Sequence, residues 1–340
     1  MLFVIRKYYI CITNAATRMN VKILFFILTA LLIAPFKKAF AQDPVFTQFY
    51  ANPLYLNPAM AGSNLCPRFS MNYRNQWPSL SANFITQSFS YDQKFRAING
   101  GVGIIAMHDQ QGQNTIQTSS LGLIYSYHLK VNRNFTMMFG GQANFVMKFL
   151  DWDKLTFGDM IDPRRGFIYQ TGDVPRGGRK GFLDMSVGVV GFTKRFYFGL
   201  AAHHLNTPNE SLIIGTSRLP MRFTGHAGAE IPLGKKSQYG NKVSISPNVI
   251  FRYQQGFMEM NIGTYIKYDM FTFGTWFRSK DAFILLFGLQ FNKFKVGYSY
   301  DVTVSKLTNQ SGGSHEISMG IFLKCNDRKL SYRTISCPSF

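Results

Sequence analysis

The chain has 340 residues, 37 of them basic and 17 acidic, which gives a net charge of +20 with histidine neutral. Such an excess raises nucleic acid, an anionic membrane surface or an acidic partner; no basic-aromatic RNA or DNA motif is present, and nucleic acid is set aside. Four cysteines are too few for a disulfide scaffold and form no C-x-x-C pair, which removes zinc and thioredoxin-like readings.

The first element is a leader. Residues 1–42 carry six basic residues (Arg6, Lys7, Arg18, Lys22, Lys37, Lys38) and no acidic one. Ile23–Phe36 is a largely apolar run of 14 residues, short for a membrane-spanning helix. Ala39-Phe40-Ala41 follows with the small-x-small pattern of a signal peptidase site, so residues 1–41 read as a signal peptide. Met19 is a better start for such a signal than Met1. Removing six of the 37 basic residues leaves 31 against 17 acidic ones, a mature charge of +14. The lipopolysaccharide face of an outer membrane is the simplest anionic neighbour for an exported chain of this kind.

Residues 42–66 have no regular period. Asn52-Pro53 and Asn57-Pro58 favour turns and push the preceding residue out of the helical region. The segment is nevertheless rich in Phe46, Phe49, Tyr50, Leu54, Tyr55 and Leu56, which a free tail would not need. An ordered placement is expected, either plugging a lumen or packed under a rim.

From Arg68 a strict alternation begins. Segments of about ten to fourteen residues recur with every second position apolar or aromatic, the pattern of a strand that faces lipid on one side and a lumen on the other. In Phe294–Val304, Phe294, Val296, Tyr298, Tyr300 and Val302 oppose Lys295, Gly297, Ser299, Asp301 and Thr303. Fourteen such segments are predicted, at 67–77, 82–95, 99–111, 115–130, 134–148, 181–192, 195–206, 220–232, 242–254, 257–269, 271–279, 282–291, 294–304 and 313–324. The fold class is therefore all-β, a transmembrane antiparallel up-and-down β-barrel of about 14 strands over 67–324, with a tail at 325–340. The composition agrees: 33 Phe, 17 Tyr and only 16% charged residues suit lipid contact, and the segments are longer than the strands of a soluble sandwich. Trp77, Tyr125, Tyr127, Tyr268, Trp276 and Tyr298 fit interfacial girdles.

The three longest gaps, at 149–180, 207–219 and 305–312, are connections five, seven and thirteen. All are odd, as expected if the long connections are extracellular and both termini periplasmic. The inward set is polar and charged: Arg68, Arg74, Asp184, Arg195, Arg222, Glu230, Arg252, Glu259, Lys267, Asp301 and Glu316. Both signs occur, so pairing across the lumen is expected, and either an aqueous pore or a locked polar core fits.

Chemistry-bearing motifs are scarce. The six histidines are scattered, and adjacent His203 and His204 are expected on opposite faces of a strand. His204 with Ser211, or His226 with Thr224, would be the pairs to consider for a lipid hydrolase, but nothing singles them out. Gly101-Val-Gly-Ile-Ile-Ala106 has the letters of a dinucleotide fingerprint without the helix it needs, and its glycines read as relief of crowding in a strand. Asp151, Asp153, Asp159 and Asp162 lack calcium-loop spacing. The same long connection then turns basic through Arg164, Arg165, Arg176, Arg179 and Lys180, an acid-then-base loop of the kind that docks a partner. No catalytic, metal or cofactor residue is assigned.

The ends of the chain carry a resemblance. Gln42-Asp-Pro-Val-Phe-Thr-Gln-Phe-Tyr50, Asn57-Pro-Ala-Met-Ala-Gly62, Tyr73-Arg-Asn-Gln-Trp77, Asp109-Gln-Gln-Gly112, Phe157-Gly-Asp159 and the tail Cys337-Pro-Ser-Phe340 resemble the PorP/SprF family. The resemblance covers essentially the whole mature chain. It implies a non-enzymatic outer-membrane protein of the type IX secretion system of Bacteroidetes, which helps export or surface-attach particular cargo such as large adhesins, often in gliding motility. Its implied partners are outer-membrane lipid, the secreted cargo and other components of the secretion machinery. The competing expectation is an outer-membrane channel or substrate-selective porin.

Closing the barrel pairs the first strand with the last. Cys66 and Cys325 then meet at one rim with Cys337 in reach, so a disulfide from Cys66 to one of them is expected in an oxidising periplasm.

Overall fold

A computed structural model of the protein describes residues 43–324, apart from 81, 163, 173–176, 213–214, 234–235, 238–239, 242, 280 and 305–311, and apart from the side chains of 236–237 and 240–241. The leader, Arg176, Cys325, Cys337 and the tail at 325–340 lie outside the described residues.

Fourteen long strands follow one another in chain order. They are β1 (Arg68–Gln76), β2 (Phe84–Phe95), β3 (Gly100–Gln111), β4 (Ile116–Lys130), β5 (Thr136–Leu150), β6 (Arg179–Phe192) and β7 (Phe196–His203). The second half comprises β8 (Arg222–Ala229), β9 (Val243–Gln254), β10 (Phe257–Tyr268), β11 (Phe271–Arg278), β12 (Ala282–Phe291), β13 (Phe294–Thr303) and β14 (Ser314–Phe322). Each pairs antiparallel with its sequence neighbours, and the ladder closes where β1 meets β14, with Arg68 opposite Phe322 and Gln76 opposite Ser314. Ile231–Pro232 continues the β8 edge against β9. The result is a closed up-and-down barrel, as the alternation predicts.

Period-two patterning sets the two faces. On β4, Leu121, Leu123, Tyr125 and Tyr127 are exposed outward, while Ile124 and Ser126 are buried inward. On β12, Phe283, Leu285, Phe287, Leu289 and Phe291 form the outward stripe. Such a ring of large apolar side chains is the surface a bilayer covers.

The four boundaries around connections five and seven differ from expectation. The β5–β6 ladder runs on to Lys148 opposite Lys180 and Phe149 opposite Arg179, so Arg179 and Lys180 belong to the wall and not to the loop. Strand β7 stops at His203, because His204 takes a left-handed φ of 58°. Connection five shrinks to 151–178, and connection seven grows to 204–221. The parity is kept: 151–178, 204–221 and 304–313 all leave from one rim. Several turns are two residues long, and at 255–256 both φ values are positive, which matches the right-handed twist of the flanking strands.

The inward face also departs from a purely polar lumen. Arg68, Arg74, Asp184, Arg222, Arg252, Glu259, Asp301 and Glu316 are buried inside as expected. Arg195 is not among them: it is exposed in the turn between β6 and β7. Arg278 joins the inward set. Trp276 is 1% exposed and lies inside, not in a girdle. The reason is what fills the barrel.

Candidate functional site

Residues 43–67, termed the strap, run inside the barrel. Their secondary structure is three single turns, Phe49–Ala51, Pro53–Leu56 and Pro58–Met60, the last two started by the prolines that fix their φ. Asn57 caps the third turn by accepting from the Ala59 N–H. Phe46, Phe49, Leu54, Leu56, Ala59, Met60 and Ala61 are all under 5% exposed. Removing a large apolar side chain from water stabilises by about 1.5–3 kcal/mol, so the strap supplies the barrel with a core it would otherwise lack. Trp276, Tyr265, Tyr197, Met138, Val190, Ile250 and Ile284 turn inward to meet it. Tyr50 stands edge-on to Tyr197 at 5.6 Å, and Phe49 lies 4.9 Å from Trp276 with the Arg252 guanidinium 5.1 Å from its ring.

Polar contacts fix the strap to most of the circumference. Near one end Thr47 is the hub of a buried charge cluster. Its hydroxyl donates to Asp301 at 2.9 Å and accepts from Arg74, while its N–H donates to Glu316. Arg74 pairs with Asp301 at 2.8 Å and with Glu316 at 3.5 Å, and Arg278 pairs with Asp301 at 3.3 Å. Gln48 donates its N–H and its side-chain amide to Glu316 and accepts from Ser318. On the opposite wall Asn57 donates to the carbonyls of Val189 and Leu200, on β6 and β7. Lower down, Ser126 donates to Ala59 O, His128 donates to Ala61 O, and the Gly62 N–H donates to Asp92. Asp92 also holds Arg68 bidentately at 2.9 and 3.1 Å.

Two glycines show how closely backbone meets wall. A Cβ on Gly140 of β5 would sit 2.3 Å from Ala59 N, and one on Gly101 of β3 would sit 2.2 Å from Ala61 O. Gly101 opens the stretch that has dinucleotide letters; its role is to admit the strap.

At the rim of the long connections the strap begins with Asp43. Its carboxylate accepts from Arg222 at 2.8 Å and from His204 Nε2 at 2.7 Å, and His204 Nδ1 faces Asp184 at 3.0 Å. Arg222 also donates to the Tyr55 hydroxyl and lies 5.0 Å from that ring. Two anions and two cations therefore close on one another. Burial opposes the charge on His204, but the carboxylates of Asp43 and Asp184 outweigh it and raise its pKa from 6.5 to about 9. Burial likewise opposes the charge on Asp43, and Arg222 and His204 reverse the effect, holding its carboxyl below the ordinary range. The left-handed turn at His204 brings its ring to the lumen mouth beside His203, not to the opposite face. With both ring nitrogens facing carboxylates, His204 is not set against Ser211, and His226 directs Nε2 at Asn57 rather than at Thr224.

The long connection at 151–178 is organised by its own carboxylates. Asp159 accepts from Thr171 at 2.9 Å and from the Gly172 N–H at 2.8 Å, bonds that lower its pKa, the Gly172 bond most. Asp162 accepts from the N–H groups of Arg164 and Arg165, both 2.8 Å, and from Tyr169, and is lowered in the same way. Around it Ile161–Asp162 pairs with Gly166–Phe167, leaving Arg164 and Arg165 exposed at the turn. Arg179 is the first residue of β6, at the base of the loop, 5.2 Å from the Phe149 ring. The base of this loop is tied to connection seven, since Gly178 N–H donates to Leu212 O and Lys148 pairs with Glu210 at 2.7 Å. The sequence singles out Asp159, Arg164 and Arg165 in the loop, places Arg222 inward and sets His204 beside Ser211, but it does not bring Asp43, His204 and Arg222 together, because Asp43 lies in a segment without a period.

Cys66, at the other rim beside β1, is in a disulfide whose partner lies outside the described residues. Leu323 N–H donates to Pro67 O across the β1–β14 seam.

Among solved structures the chain is similar to a Pseudomonas aeruginosa FadL homologue, at 13% identity over 84% of this chain and 100% of that one, with a TM-score of 0.44. The CymD monoaromatic hydrocarbon channel matches at 12% identity over 80% and 93%, also at 0.44. Omp33, an outer-membrane protein of Acinetobacter baumannii, matches at 7% over 76% and 99%, at 0.43. No curated protein matches the chain. The model of the type IX secretion system membrane protein PorP/SprF matches residues 38–321, nearly all of the barrel together with its strap, and the chain belongs to that family.

Proposed function

We propose that this outer-membrane barrel is non-enzymatic and assists export or surface attachment of specific cargo, of the large adhesin type used in gliding, in concert with other components of the type IX machinery. The observation that carries the reading is the filled lumen. A bore occupied by Phe49, Tyr50, Leu54, Leu56 and Met60 and crossed by ion pairs is suited to holding a partner at its mouth, and it counts against the diffusion-channel alternative. We place the rim of the long connections on the extracellular side, with lipid and lipopolysaccharide around the aromatic stripes. The working surface is the mouth and the loop at 151–178. There Asp159 and Asp162 are engaged within the loop, and Arg164 and Arg165 are left to face outward. An acidic segment of an exported protein fits such a turn. Arg176, outside the described residues, and Arg179 are proposed to add to the same basic surface.

The test is the double substitution Arg164→Glu with Arg165→Glu, followed by proteomics of the cell surface and culture medium beside a strain lacking the gene. Selective loss of one or a few cargo proteins in both strains, with the barrel still heat-modifiable, is the expected result. Normal display in the double variant would remove the loop turn from the mechanism. A general permeability change in the deletion strain would favour the channel.

A further inference from the structure

The direction of the strap is fixed at both ends. Ala61 and Gly62 contact His128 near the end of β4 and Asp92 near the end of β2, at the rim where β1 begins. Asp43 contacts Arg222, the first residue of β8, and His204, just past the end of β7, at the rim of the long connections. The strap thus crosses the barrel lengthwise. Fourteen strands return the chain to the rim from which β1 started, and Phe322 opposite Arg68 confirms that β14 ends there. The lumen pass is an additional, odd crossing. Asp43, the first described residue, therefore stands at the long-loop mouth.

We infer that the mature amino terminus is presented at the cell surface, inside the ring of long loops, while the chain beyond β14 starts in the periplasm. This replaces the expectation of two periplasmic termini, and it rests on the orientation proposed above. The latch made by Asp43, Arg222, His204 and Asp184 holds that end at the mouth.

The test places one epitope between Gln42 and Asp43, a second in the 151–178 loop, and a third after Phe340, in otherwise full-length protein. Antibody binding is compared on intact and permeabilised cells. Expected is undiminished binding on intact cells for the first two and binding only after permeabilisation for the third. Detection of the loop epitope on intact cells with a silent Gln42 epitope would overturn the inference while keeping the orientation. A silent loop epitope with the third detected on intact cells would overturn the orientation itself. Should the first insertion block folding, Gln42→Lys labelled by a membrane-impermeant amine reagent gives the same reading from peptide masses: label on intact cells supports the inference, and label only after lysis overturns it.

Discussion

Gly140 and Gly141 are neighbours on β5 with opposite surroundings. A Cβ at Gly140 would strike the Pro58–Ala59 backbone at 2.3–2.5 Å, whereas at Gly141 nothing lies within 4 Å. Gly140→Ala is therefore expected to destabilise the strap by about 1–3 kcal/mol, the usual range for overpacking, and Gly141→Ala to be neutral. Hydrogen exchange of residues 58–62 in detergent checks both. The charge latch at Asp43 gives a pH window. Asp43 contributes fully above its ordinary pKa of 3.8, and that part is lost as pH falls through the depressed value. His204 contributes fully below 6.5, and that part is lost as pH rises through about 9. Protease accessibility of the mouth should thus be lowest between about pH 4 and 6.5 and rise above about pH 9; Asp43→Asn should flatten the alkaline limb. Such residues were half legible. Alternation gives the face of Trp276 but not that an apolar strap waits inside, so the letters alone read an inward tryptophan as part of a girdle. The left-handed turn at His204 has no signature in the letters.

Among the elements, the strands were the most legible, because lipid and lumen impose opposite demands on alternate positions over ten or more residues. Their ends were less so: the Phe149–Arg179 pair extends the wall where composition reads as loop. The strap was legible as ordered, from its aromatics and Asn-Pro turns, yet without a period it carried no direction. Its contacts are too spread along the sequence for that, with Thr47 meeting Asp301 and Glu316 while Asn57 meets Val189. The seam supplies a prediction. Continuing the β1–β14 register past Arg68 and Phe322 brings position 324 opposite Cys66, so Cys325 is the partner we propose for its disulfide, ahead of Cys337. Peptide mapping without reductant is expected to recover Cys66 linked to Cys325. Recovery of Cys66 joined elsewhere would mean that the tail does not continue this register.

At the scale of the whole molecule, closure leaves the fourteen-strand wall without an edge, the bilayer covers the outward apolar face, and the strap provides an inward core that fourteen polar-lined strands would not make alone. Buried ion pairs add little net stability against an apolar core of equal volume, but losing one partner leaves a stranded charge. The Arg74, Arg278, Asp301 and Glu316 cluster therefore acts mainly to fix where Thr47 and Gln48 lie. A barrel built this way holds its own amino-terminal strap where a pore would otherwise run. The direct measurement is ion conductance in planar bilayers of the purified full-length protein beside a variant lacking residues 43–62. The full-length protein is predicted to be nearly silent and the variant, folded by heat-modifiability, to conduct steadily; equal, stable conductance from both would contradict a lumen filled by the strap.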